Sequence, residues 1–153
     1  MVMKRHYQIY LIKERLAGSY IGREQLLFTL FHDYHHSQGE QTRIIGRQIV
    51  YVTKRIPIQT IERMIESVGE ETGKQKMENS IDYQIDCRSA NGLTSTARVE
   101  IHNRVIHIYA EGTFDAETIF FECIRKSAPS YMAFELSQNR YGWLKPMKAR
   151  NLI

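Results

Sequence analysis

The sequence changes its period between residues 81 and 127, and that change limits the fold class. From 81 to 88 apolar and polar residues alternate, with Ile81, Tyr83, Ile85 and Cys87 on one side and Asp82, Gln84, Asp86 and Arg88 on the other. A period of two belongs to a strand with one face in a core. Asn91-Gly92 supplies a hairpin turn. Residues 93–101 repeat the alternation, with Leu93, Ala97, Val99 and Ile101 on one face. His102-Asn103-Arg104 turns the chain into a third strand over 105–110. From Phe114 the period becomes 3.6, and Ala116, Ile119, Phe120, Cys123, Ile124 and Ser127 form one helical stripe. Asp115 is placed to cap that helix, Phe114 to staple onto Ile119, and Pro129 to stop it. Phe121 falls off the stripe and predicts burial on a second side. A helix this apolar must lie on a sheet.

The first half follows the same logic. Residues 5–12 alternate, with Tyr7, Ile9 and Leu11 facing one way and His6, Gln8 and Tyr10 the other, which predicts a strand. In 13–21, Leu16 and Tyr20 are four apart, so a short helix puts them on one side, bounded by Gly18 and Gly22. Leu26, Leu27, Leu30, Phe31 and Tyr34 predict a helix over 23–35. Residues 41–53 fit two states: 49–53 has strand propensity, while Ile44, Ile45, Gln48, Ile49 and Val52 keep the helical period. The longer pattern favours a helix. Pro57 opens a further helix carrying Ile58, Ile61, Met64, Ile65 and Val68. Residues 69–79 are polar, hold Gly69 and Gly73, and read as a flexible loop. A strand is expected over 131–136, and 139–146 reads as irregular. The expectation is a single compact α+β domain over 1–153: an antiparallel or mixed sheet of about five strands packed with helices.

Composition narrows the class of function. Hydrophobic residues make up 42% and charged residues 25% of 153, ordinary for a globular domain. No apolar run is long enough to span a membrane, and the start of the chain lacks the apolar core of a signal peptide. Two cysteines without a CxxC spacing make neither a disulfide framework nor a zinc site, so a reducing, cytoplasmic location is expected. The net charge is +4, and Arg140, Lys145, Lys148 and Arg150 stand without an acid among them. Such a tail could bind phosphate backbones or be a solvated surface.

Chemical motifs are few. There is no P-loop, GxGxxG, GxSxG or HExxH. His32 and His36 have the helical spacing of metal ligands, but no third ligand has a definite place. Cys87 and Cys123 fall on inward faces as small core residues. Asp82, Asp86 and Glu100 alternate as the solvent face of a sheet does. Tyr20 falls off any clear core stripe. Gln48 and Tyr51 share a helix edge beside one. Exposed tyrosines of this kind serve as interface anchors or lie partly buried with the hydroxyl in water.

Read in order, several motifs form a set. They are Arg-His-Tyr at 5–7, Tyr-Leu-Ile-Lys-Glu at 10–14, Gly-Arg-Glu at 22–24, Asp-Tyr-His at 33–35 and Ile-Pro-Ile at 56–58. Ala-Glu-Thr-Ile-Phe-Phe-Glu at 116–122, Arg-Lys at 125–126, Arg-Tyr-Gly-Trp-Leu at 140–144 and Pro146 complete it. In that order the chain resembles the SirA family, the sporulation inhibitors of replication of endospore-forming bacteria. The resemblance covers nearly all of it apart from 69–79. It implies a one-to-one complex with the N-terminal domain (domain I) of the replication initiator DnaA, which blocks new initiation. It implies no catalysis, no cofactor, no membrane and no direct nucleic acid contact. The partner-facing residues it implies are Leu16, Tyr20, Gln48 and Tyr51, with Leu16 standing where the family pattern has an aromatic. Two other readings compete: a regulator binding nucleic acid through 140–150 and the N-terminal basic residues, and a small α+β enzyme with an acyltransferase-like fold. Trp143 is expected to pin the tail to the core.

Overall fold

The computed structural model describes residues 4–68, 72–76 (backbone only) and 80–146. The chain opens with β1 (Lys4–Ile12), α1 (Glu14–Ala17), a 3-10 turn (Gly18–Tyr20), α2 (Glu24–His36) and α3 (Glu40–Val52). Then follow β2 (Thr53–Lys54), α4 (Ile58–Glu66), β3 (Thr72–Lys76), β4 (Ile81–Arg88), β5 (Thr94–Ile101) and β6 (Ile106–Gly112). The last elements are α5 (Asp115–Arg125), β7 (Tyr131–Glu135), a second 3-10 turn (Leu136–Gln138) and β8 (Arg140–Trp143). The fold is α+β.

One antiparallel sheet runs β3-β4-β5-β6-β1-β7-β8, with β2 paired to the end of β1. It exceeds the expected five strands because three short ones were hidden. Thr72–Lys76, expected in a flexible loop, pair with β4 from Thr72↔Ile85 to Lys76↔Ile81; the rest of 69–79 lies outside the described residues. Arg140–Trp143, expected to be irregular, pair with β7. Edge pairing rests on backbone hydrogen bonds and does not require an apolar pattern. Among the described residues every pairing is antiparallel, so of the two expected sheet types the antiparallel one forms.

Helices cover both faces. On one face, α4 and α5 bury Ile9, Leu11, Tyr83, Ile85, Val99, Ile106 and Ile108. On the other, α2 and α3 cover Ile12, Met132 and Phe134, adding Leu27, Phe31, Ile45, Ile49 and Val52. β1 feeds both cores, so its second face is buried at Ile12 and half-buried at Tyr10 where alternation alone predicted one buried face. Several stripe positions move accordingly. Leu26, Tyr34, Ile44 and Leu93 are exposed. Helix α2 seats Leu27 and Phe31, with Phe28 and Leu30 half-buried beside them, and β5 turns Ser95 inward ahead of Ala97.

Helix α5 begins at Asp115 with Phe114 as its cap residue and no side-chain cap bond, which corrects the expected Asp115 cap. Ser95 Oγ on β5 accepts the Ala116 N–H at 3.1 Å and serves that first-turn donor instead. Phe114, expected to staple onto Ile119, stays exposed under the Arg5 guanidinium at 4.5 Å. Gly112 makes the bend between β6 and α5 at φ +83°, where a Cβ would run into the Thr94 carbonyl.

Candidate protein-binding site

Helix α3 is tied down at its C-terminal end and left open along one side. The Lys13 N–H donates to the Val52 carbonyl at 2.9 Å, joining α1 to the end of α3. Thr53 Oγ1 donates to the Ile49 carbonyl at 2.7 Å, and β2 pairs with Leu11 and Ile12. Ile45, Ile49 and Val52 are buried against the sheet. The edge next to that buried stripe carries Ile44, Gln48 and Tyr51 at i, i+4 and i+7, one row along the helix. All three are exposed, Ile44 at 51% and Tyr51 at 58%. Two large apolar side chains exposed in one row of a helix make this edge a candidate contact surface.

The segment after β1 flanks this row. Lys13 Nζ stands 5.0 Å from the centre of the Tyr51 ring and Arg15 Cζ 5.9 Å. Cations over a tyrosine face hold the ring by electrostatic attraction. Leu16 and Tyr20 are half-buried and pack on the same core cluster as Ile45, Ile49 and Val52. This corrects the reading of Tyr20 as lacking a core role: part of its ring is structural and part reaches water. The turn after it is well secured. The Arg23 guanidinium donates to the Ser19 carbonyl at 3.0 Å, and Glu24 accepts the Gly22 N–H at 2.7 Å.

Leu16, Tyr20, Gln48 and Tyr51 thus lie on two segments that the fold fastens together. Sequence reasoning missed three neighbours. Ile44 extends the α3 stripe, so its spacing alone predicts a core residue. Lys13 and Arg15 carried no signal, since their proximity to Tyr51 depends on the Lys13–Val52 bond.

The other candidates have structural partners. The His32 and His36 rings stack at 4.3 Å, and His36 Nδ1 bonds its own helix at the His32 carbonyl. No cluster of three or more metal-ligating side chains occurs among the described residues. Burial pushes the Cys123 thiol up, away from nucleophilic character. Asp82 and Glu100 both pair with Arg98 across the open sheet face. Of the basic tail, Arg140 is paired with the buried Glu135 and Lys145 is half-buried; Lys148 and Arg150 lie outside the described residues.

Comparison with known proteins supports the reading of the motifs. A family profile described as "SirA: Sporulation inhibitor of replication protein SirA" matches residues 5–148. The chain belongs to the SirA family. The Bacillus subtilis (strain 168) protein named "Sporulation inhibitor of replication protein SirA" is 38% identical over 153 residues, covering 99% of this chain and all of the relative. SirA is a family of replication inhibitors and, by its name, not a family of enzymes. Among the described residues no helix is long and apolar enough to cross a membrane.

Proposed function

We propose that this SirA-family chain inhibits replication initiation during sporulation by binding domain I of DnaA in a one-to-one complex in the cytoplasm. Leu16, Tyr20, Gln48 and Tyr51 form the contact. The observation that carries this reading is the exposed Ile44/Gln48/Tyr51 row on a helix whose adjacent stripe is locked into the core. An exposed aromatic on a rigid element binds without the cost of ordering a loop. Binding needs no cofactor and no catalytic group.

The test is calorimetric titration of the full chain with the N-terminal domain of its cognate DnaA. Saturable one-to-one binding, weakened by Tyr51→Ala, is the expected result. Absence of binding at concentrations of about tens of micromolar, where even a weak interface would register, would remove DnaA as the partner. The competing nucleic acid reading is weakened by the Glu135–Arg140 pair, which engages a main cation of the basic tail.

A further inference from the structure

We propose that the surface received by α1 and α3 is acidic, and that the basic rim around Tyr51 steers the two proteins together. This rests on the binding reading above and adds the chemistry of the partner. The charge distribution carries it. Residues 13–20 and 40–55 hold six basic side chains (Lys13, Arg15, Arg43, Arg47, Lys54 and Arg55) against two acids, Glu14 and Glu40. The rest of the chain holds 15 basic against 15 acidic residues, of totals of 21 and 17. The whole excess of +4 therefore lies in the two segments that build the candidate face.

Placement strengthens the point. Arg15, Arg43, Arg47, Lys54 and Arg55 are exposed, and Lys13 is half-buried against Tyr51. Among the described residues, only Arg43 of these has an acidic partner, Glu40 at 2.6 Å, in an exposed pair that screens little of the field. Arg43 and Arg47 sit one turn apart on α3, an arrangement that repels and costs helix stability. Folding gains nothing from it. A partner with the opposite sign does: complementary charge at a rim raises the association rate and sets orientation, while the apolar centre holds the complex. The exposed Ile44, Val50 and Tyr51 favour a protein surface over a phosphate backbone, which offers no apolar counterpart.

The experiment measures association and dissociation rates of the full chain on immobilised DnaA N-terminal domain, from about 50 mM to about 500 mM NaCl, a range over which the screening length shortens severalfold. The association rate is expected to fall about ten-fold while dissociation changes little. Arg43→Glu/Arg47→Glu, shown to be folded by circular dichroism, should slow association and flatten its salt dependence. Lys54→Glu should do so to a lesser degree, and Lys126→Glu, beyond α5, should do neither. Saturable binding with a salt-independent association rate would overturn the acidic surface and leave the binding reading standing. No binding at any salt concentration would overturn both. Salt-steep binding to duplex DNA without DnaA, lost in the double variant, would make nucleic acid the anion and overturn an acidic protein surface.

Discussion

Tyr51 lies between water and two cations, so its removal separates binding from folding. Its ring is mostly exposed and its neighbours Val52 and Ile49 carry the packing. Tyr51→Ala should weaken DnaA binding by about 2 kcal/mol, the scale of an aromatic anchor, and leave the urea midpoint unchanged. Tyr20→Ala should lower both affinity and stability, because Tyr20 also packs on the second core cluster; unchanged affinity would remove it from the interface. At the opposite limit stands the ion pair of Arg5 and Glu117, with side chains 3% and 2% exposed. Arg5 Nε donates to Glu117 Oε1 at 2.8 Å, and Nη2 also donates to the Thr113 carbonyl at 3.1 Å. The pair locks the start of α5 onto β1. Glu117→Ala leaves a buried guanidinium without its carboxylate and should cost about 3–5 kcal/mol, read from urea unfolding. A loss under about 1 kcal/mol would mean that water replaces the carboxylate there.

Among the elements, β8 shows how a short strand finds its place. Asn139 takes a left-handed conformation (φ 52°) after the second 3-10 turn and sends the chain back along β7. The strand is held at both ends, by the Arg140–Glu135 pair and by the Leu144 N–H donating to the Tyr131 carbonyl at 3.0 Å. Trp143 packs on the core between the sheet and α2, and Tyr141 lies 5.2 Å from the Phe28 ring. Trp143→Ala should therefore lower the melting temperature, with a stability loss of about 2 kcal/mol, less than for a fully buried tryptophan. An unchanged melting temperature combined with lost inhibition would assign the strand to binding. The longer elements were legible because periodicity reports a face over many residues: α2, α3, α4 and the meander lie within a few residues of their expected bounds. β3 and β8 were not, since a strand of four or five residues carries too few positions to show a period.

Across the whole molecule, all six histidines gather on the sheet face that α2 only partly covers. His6 Nε2 and His107 Nδ1 are 2.9 Å apart, the His102 ring is 5.8 Å from His107, and the His6 ring stacks on Tyr109 at 4.4 Å. His32, His35 and His36 on α2 line a cavity of about 280 Å³ together with His6 and Gln8. Burial pushes His107 down to about 4, and the charges of His6, His102 and His35 add to the shift against the opposing pull of Glu100. Burial likewise lowers His6, with His35 adding to it and Glu100 and Glu135 opposing. In the unfolded chain both titrate near the ordinary histidine value of about 6.5. The unfolded state therefore binds more protons as pH falls below that value, and stability drops with it. The contribution is complete above pH 6.5 and lost progressively towards pH 4. The urea midpoint should fall between pH 7 and pH 5, and His107→Gln should shrink that fall. A midpoint that stays level over this range would mean the two rings protonate freely in the folded protein.

Local periodicity determined the longer helices and strands, because the pattern of apolar side chains sets which face each of them must hide. The motifs were enough to place the chain in its family. Neither could place Lys13 and Arg15 beside Tyr51, pair Arg5 with Glu117 across 112 positions, or collect the histidines on one face. Those juxtapositions join residues distant in sequence and depend on strand order and on which face of the sheet each helix covers. The same packing turned Ile44 from an assumed core residue into part of an exposed row. A stripe wide enough to be buried on both edges is covered only as far as the neighbouring helix reaches.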